Sequence, residues 1–132
     1  MEKKFEEDLP QNCPPSDAFL PDNKLFYRLV ESYPPKEKDF LPYWNLYPKK
    51  RNQFPECIAR AISVFSELRS CENIKKIAYF RKNNFKVISI KLNEDAGLVK
   101  QTQSDSTHFS WWKFKGYNPL SSEITLATNN NG

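Results

Sequence analysis

The clearest alternation of apolar and polar positions lies at Phe85–Leu92 and predicts a β-strand. Ile88, Ile90 and Leu92 share one face by the two-residue period, and Phe85 and Val87 take the other. A second apolar run, Lys24–Val30, predicts the first strand, which ends before Pro34-Pro35 because proline cannot donate to a β-ladder. Ile62–Phe65, residues 98–102, the run from His108 and residues 122–127 predict further short strands.

Helical periodicity is confined to one stretch. Ser70 in the N-cap position, Glu72 in the first turn and Arg81 and Lys82 in the last predict a helix over residues 71–82. Its buried face would carry Cys71, Ile74, Ile77, Ala78 and Phe80. Residues 36–50 are aromatic, but Pro42 and Pro48 limit them to short helical turns, and Pro55 opens a further short helix. Strands outnumber helices without repeating a βαβ unit. The expected fold is therefore α+β: a single small domain, a mostly antiparallel mixed sheet and one main packed helix. Residues 1–23 form a Pro-rich arm, 24–128 the domain and 129–132 a flexible tail.

Composition sharpens this picture in three places. Phe, Tyr and Trp make up 14% of the 132 residues and Met occurs once, so aromatic rings must fill much of the core. Ten prolines against three glycines favour rigid, extended connections. The net charge of +4 is mild, and the short basic runs Lys49-Lys50-Arg51 and Lys75-Lys76 read as solvated faces. Cys13, Cys57 and Cys71 lack metal-type spacing, and the amino terminus lacks an apolar signal region. Free thiols in a reduced, cytoplasmic protein without a metal are expected. No apolar stretch reaches the length of a membrane span.

Candidate chemistry gathers at four points. Arg28 lies among apolar neighbours in the first strand, where it either braces the sheet or holds an anion. Ser63 alternates onto the face of Phe65, away from Ile62 and Val64. His108, the single histidine, shares a strand face with Ser110 and Trp112, while Phe109, Trp111 and Lys113 take the other. Its ordinary pKa near neutrality suits acid–base work. Glu123 begins the last strand. No GxSxG elbow surrounds Ser63, so the sequence does not support a serine hydrolase, and the absence of GxxxxGK[ST], GxGxxG and HExxH sets aside P-loop NTPases, Rossmann dehydrogenases and zincins.

The order of Tyr27-Arg28, then Ser63 with Phe65 before a helix, then Glu123 on a late strand resembles the ADP-ribosyltransferase-like superfamily. That superfamily includes small bacterial RES-type toxins acting on NAD, and the resemblance spans residues 25–126. It implies NAD as co-substrate, cleavage at the nicotinamide glycosidic bond and a toxin or effector role. Tyr27, Arg28, Ser63, Phe65 and Trp112 would bind the dinucleotide, and Glu123 or His108 would stabilise the oxocarbenium-like state. The chain departs from the pattern in lacking a Ser-Thr-Ser triplet and a Glu or Gln two residues before Glu123.

Two other functions remain open. One is a non-catalytic interaction module (an antitoxin, inhibitor or accessory subunit) using the arm or Tyr43, Trp44 and Tyr47. The other, ranked last, is nucleic-acid stacking on Trp111 and Trp112 beside Lys113 and Lys115.

Overall fold

The apolar alternation is realised as six strands in the computed structural model, which describes residues 3–127. The expected tail at 129–132 lies outside the described residues, as does residue 128. The strands are β1 (Lys24–Val30), β2 (Ile62–Phe65), β3 (Lys86–Leu92), β4 (Gly97–Gln101), β5 (His108–Lys113) and β6 (Glu123–Leu126). They form one sheet in the order β4-β5-β2-β1-β3-β6, and every pairing between them is antiparallel. Four short helices join them: α1 (Tyr43–Leu46), α2 (Glu56–Ala59), α3 (Leu68–Lys75) and α4 (Ala78–Lys82). The chain is an α+β domain.

Both faces of the sheet centre are covered, which explains why neighbouring residues in β1 and β3 are both apolar. Phe26, Ile88, Ile90 and Trp111 belong to one cluster, closed by Phe40 from the 3-10 turn at Glu37–Phe40. Tyr27, Phe65 and Val87 pack on the opposite side against Cys71 of α3. Each fully buried large side chain contributes about 1.5–3 kcal/mol by leaving water.

Three expectations are corrected. The predicted helix over 71–82 is two helices, because Ile77 is extended (φ −67°, ψ 138°) and half exposed rather than core. The break lets Phe80 pack on Phe85, with ring centroids 4.9 Å apart. Ser70 is not the cap: it lies within α3, and its hydroxyl meets that of Thr107 at 2.6 Å. The cysteines are not all free, since Cys13 and Cys57 form a disulfide and only Cys71 remains a thiol. A separation of 44 residues gives no local signal of that bond. With the bond present, the inference of a reduced compartment from free thiols loses its premise.

The amino-terminal arm is ordered against its own domain. Phe19 bridges Val99 on the outer side of β4, and Phe5 bridges Phe114 just beyond β5. Glu7 receives Asn45 at 2.9 Å and Arg60 at 3.1 Å, while Asp17 pairs with Lys100 at 2.8 Å. The arm thereby covers an edge strand that would otherwise offer unpaired backbone groups. Among the described residues, no helix is long and apolar enough to cross a membrane.

Candidate functional site

The β2–β5 register creates the site. Phe65 stands opposite His108 and Ser63 opposite Ser110, so all four side chains share one face. Ser63 and His108 are diagonal neighbours on that face. The gap is closed by the length of the imidazole: Ser63 Oγ lies 3.0 Å from His108 Nε2. Phe65 meets the imidazole edge-on at 5.3 Å and limits its rotation.

The other side of the ring is fixed by Thr102, which follows β4. His108 Nδ1 lies 3.2 Å from the Thr102 carbonyl and 3.1 Å from Thr102 Oγ1. A carbonyl oxygen can only accept, so Nδ1 carries the hydrogen and Nε2 of the neutral ring is the acceptor facing Ser63. Thr102 Oγ1 continues to the buried Ser110 hydroxyl at 2.8 Å. Burial holds the His108 pKa below its ordinary 6.5, against the smaller upward pulls of the Thr102 carbonyl and Asp105. The ring is therefore neutral at pH 7.

These groups open into a cleft of about 390 Å³, a size typical of small-molecule sites. Tyr43, Phe54 and Phe65 are its aromatic lining, Ile58 and Ala59 come from α2, and Gln103–Asp105 contribute polar groups. Asp105 Oδ1 accepts from the Thr107 hydroxyl at 2.7 Å and the Thr107 backbone N–H at 2.8 Å. Those bonds hold the Asp105 carboxyl below its ordinary pKa, leaving an anion beside the cleft.

Arg28 touches this arrangement from behind. It leaves β1 on the Phe26 side, with its guanidinium 6.0 Å from the Phe40 ring centroid. Its Nη1 donates to the Ser63 carbonyl at 2.6 Å and its Nε to the Asp39 carbonyl at 2.9 Å. The Asp39 carboxylate is engaged elsewhere, accepting from the Glu31 and Lys36 backbone and from the Ser32 hydroxyl. Arg28 thus ties β2 to the 3-10 turn at Glu37–Phe40 through two carbonyls rather than an ion pair. Burial lowers its pKa to about 10, so it remains a cation at neutral pH.

The remaining predicted site residues do not reach the cleft. Tyr27 stands across from Phe65 and packs beneath it with Cys71. Trp112 has the face predicted for it but is buried, its indole N–H donating to the Cys57 carbonyl at 2.9 Å. Glu123 lies on β6, three strand positions from β2, or roughly 14 Å at ordinary strand spacing. It is exposed there and faces Lys91 at 3.9 Å.

The tryptophans behind the stacking alternative are packed inside the domain. Trp111 is fully buried, with its indole N–H on the Ala96 carbonyl at 3.0 Å, so the two tryptophans offer no stacking platform. The guanidinium groups of Arg51 and Arg60 lie 4.6 and 4.3 Å from the Trp44 ring centroid, Tyr43 lines the cleft, and Tyr47 is half-buried beside Pro48. The sequence assigned no site role to Thr102 or Asp105. The Asp105–Thr107 turn is a local signal for the second, while Thr102 acts through a carbonyl that no side-chain pattern reveals. Among the described residues, no three His, Cys, Asp or Glu side chains converge as a metal site requires. No family model matches the chain, and neither a curated protein nor a solved structure does so.

Proposed function

We propose that the cleft binds NAD and that the protein is an ADP-ribosyltransferase-like enzyme cleaving the nicotinamide glycosidic bond. One observation carries the proposal. Residues from three separate segments meet on the adjacent strands β1, β2 and β5, as Arg28 reaches the Ser63 carbonyl and Ser63 reaches His108. Residues so far apart in sequence gain little by meeting at polar atoms unless a site requires it.

In this scheme the nicotinamide ring stacks against Phe65 and the neighbouring aromatic wall, while Ser63 bonds the adjoining ribose. Arg28 is a positioning residue that fixes the β2 backbone behind Ser63. The bonding pair leaves with neutral nicotinamide, and the positive charge left on the ribose is stabilised by nearby anions and hydrogen-bond acceptors until water adds to that carbon and gives up a proton. Asp105 supplies that charge in place of the distant Glu123, and His108 accepts hydrogen bonds through Nε2. Calorimetric titration with NAD, together with chromatographic measurement of released nicotinamide, tests the proposal. Wild type is expected to bind NAD and release nicotinamide, with Ser63→Ala and Asp105→Asn each slowing release about 100-fold or more. Wild type that neither binds nor consumes NAD refutes it.

A further inference from the structure

We infer that Ser63 and His108 form a nucleophile–base dyad, oriented by Thr102, that accepts acyl groups from activated esters. The inference uses the same cleft but does not require NAD to be its ligand. The mark of an activated serine is geometric: a hydroxyl within hydrogen-bond reach of a base whose far side is held by a third group. Ser63 Oγ is 3.0 Å from Nε2, and both atoms of Thr102 that face Nδ1 lie within 3.2 Å. The Thr102 backbone N–H also donates to the His108 carbonyl at 3.1 Å, joining the two residues across the β4–β5 turn. Ser63 itself is exposed in the cleft, so an incoming carbonyl carbon can reach its oxygen.

The missing GxSxG elbow excludes one architecture for such a pair, not the pair itself, which recurs on unrelated folds and is recognised by roles. Here the serine stands on a strand, and the strand register delivers the base. Thr102 replaces the usual carboxylate by a neutral carbonyl. It enforces the correct tautomer but gives less stabilisation to the imidazolium, so slow turnover is expected.

The chemistry balances without a cofactor. Ser63 Oγ attacks the ester carbonyl carbon as its proton passes to Nε2. The bond from that carbon to the leaving oxygen breaks, and the departing alcohol takes the proton from Nε2. Water then attacks the acyl-serine, gives a proton to Nε2 and releases the carboxylic acid, and Ser63 recovers its proton.

A fluorophosphonate probe tests the dyad on the full chain, with intact-mass and peptide-mapping readouts. One adduct on Ser63 is expected, absent in Ser63→Ala and formed about 100-fold more slowly in His108→Gln. Wild-type labelling should also slow as pH falls from 8 to 5 and Nε2 becomes protonated. Asp105, the charged group facing the ring, stays ionised over that range. No adduct, an adduct at another residue, or labelling of Ser63 unaffected by pH overturns the inference. Calorimetry with NAD on the same protein separates the two proposals. An adduct without NAD binding leaves the dyad standing and removes the NAD reading; NAD binding without an adduct does the reverse.

Discussion

At the scale of single residues, His108 ties the site to stability. Its native pKa lies below the unfolded value because burial disfavours the cation. Between those two values the unfolded chain binds more protons, so stability rises with pH there. His108 therefore contributes fully above about pH 6.5 and loses its contribution as pH falls through the lower native value. Asp105 also loses stability on acidification, but its window lies at and below its ordinary 3.8. Urea unfolding at pH 5 and pH 7 should show wild type less stable at the lower pH, with a smaller difference in His108→Gln. An equal difference in both proteins would show that His108 is not the group responsible. The same titration removes the acceptor for the Ser63 hydroxyl, linking loss of stability to loss of the site.

At the scale of elements, Gly97, the first residue of β4, marks a close backbone approach. Its φ is +145°, and a Cβ at this position would collide with the Trp112 carbonyl oxygen. Neither the strained backbone nor that backbone atom can yield cheaply. Gly97→Ala should lower stability in urea unfolding by more than the about 1–3 kcal/mol of a strained φ, whereas Gly116→Ala, at φ +90° with no neighbour within 4 Å of its Cβ, costs only that strain. The strands themselves were legible because alternation is local: Ile88, Ile90 and Leu92 announce their shared face in seven residues. Pairing is not local. Nothing near Glu123 says that β6 joins the outer side of β3, and nothing near Trp112 says that α2 covers it. Both were expected at the site for chemical reasons and are elsewhere for topological ones. Ser63 and His108 were recognisable as candidates by type, but their contact depends on the β2–β5 register, which no short segment encodes.

At the scale of the whole molecule, the arm and the cleft are coupled through α2. Cys57 lies in that four-residue helix, joined to Cys13 of the arm, and its carbonyl receives the Trp112 indole. The next two residues, Ile58 and Ala59, line the cleft. A helix this short has little stability of its own, so its place depends on these attachments. Cross-linking across 44 residues restricts the unfolded chain and contributes about 2–4 kcal/mol. Cys13→Ser/Cys57→Ser should lower unfolding stability by that amount. The arm's backbone bonds to Val99 and Lys113 remain in the variant, so the sheet should keep its native circular dichroism. Hydrogen exchange then distinguishes a strap that supports the cleft from one that only stabilises the fold. If α2 depends on the bond, its amides exchange faster in the variant under native conditions while those of β3 do not. Uniform acceleration across the chain would mean that the disulfide acts through global stability alone. Cys71 provides an internal check, because burial raises its pKa to about 12 and keeps it from reacting with thiol reagents while the fold holds. Slow Cys71 labelling combined with fast α2 exchange would place the loosening at the cleft wall and leave the core intact.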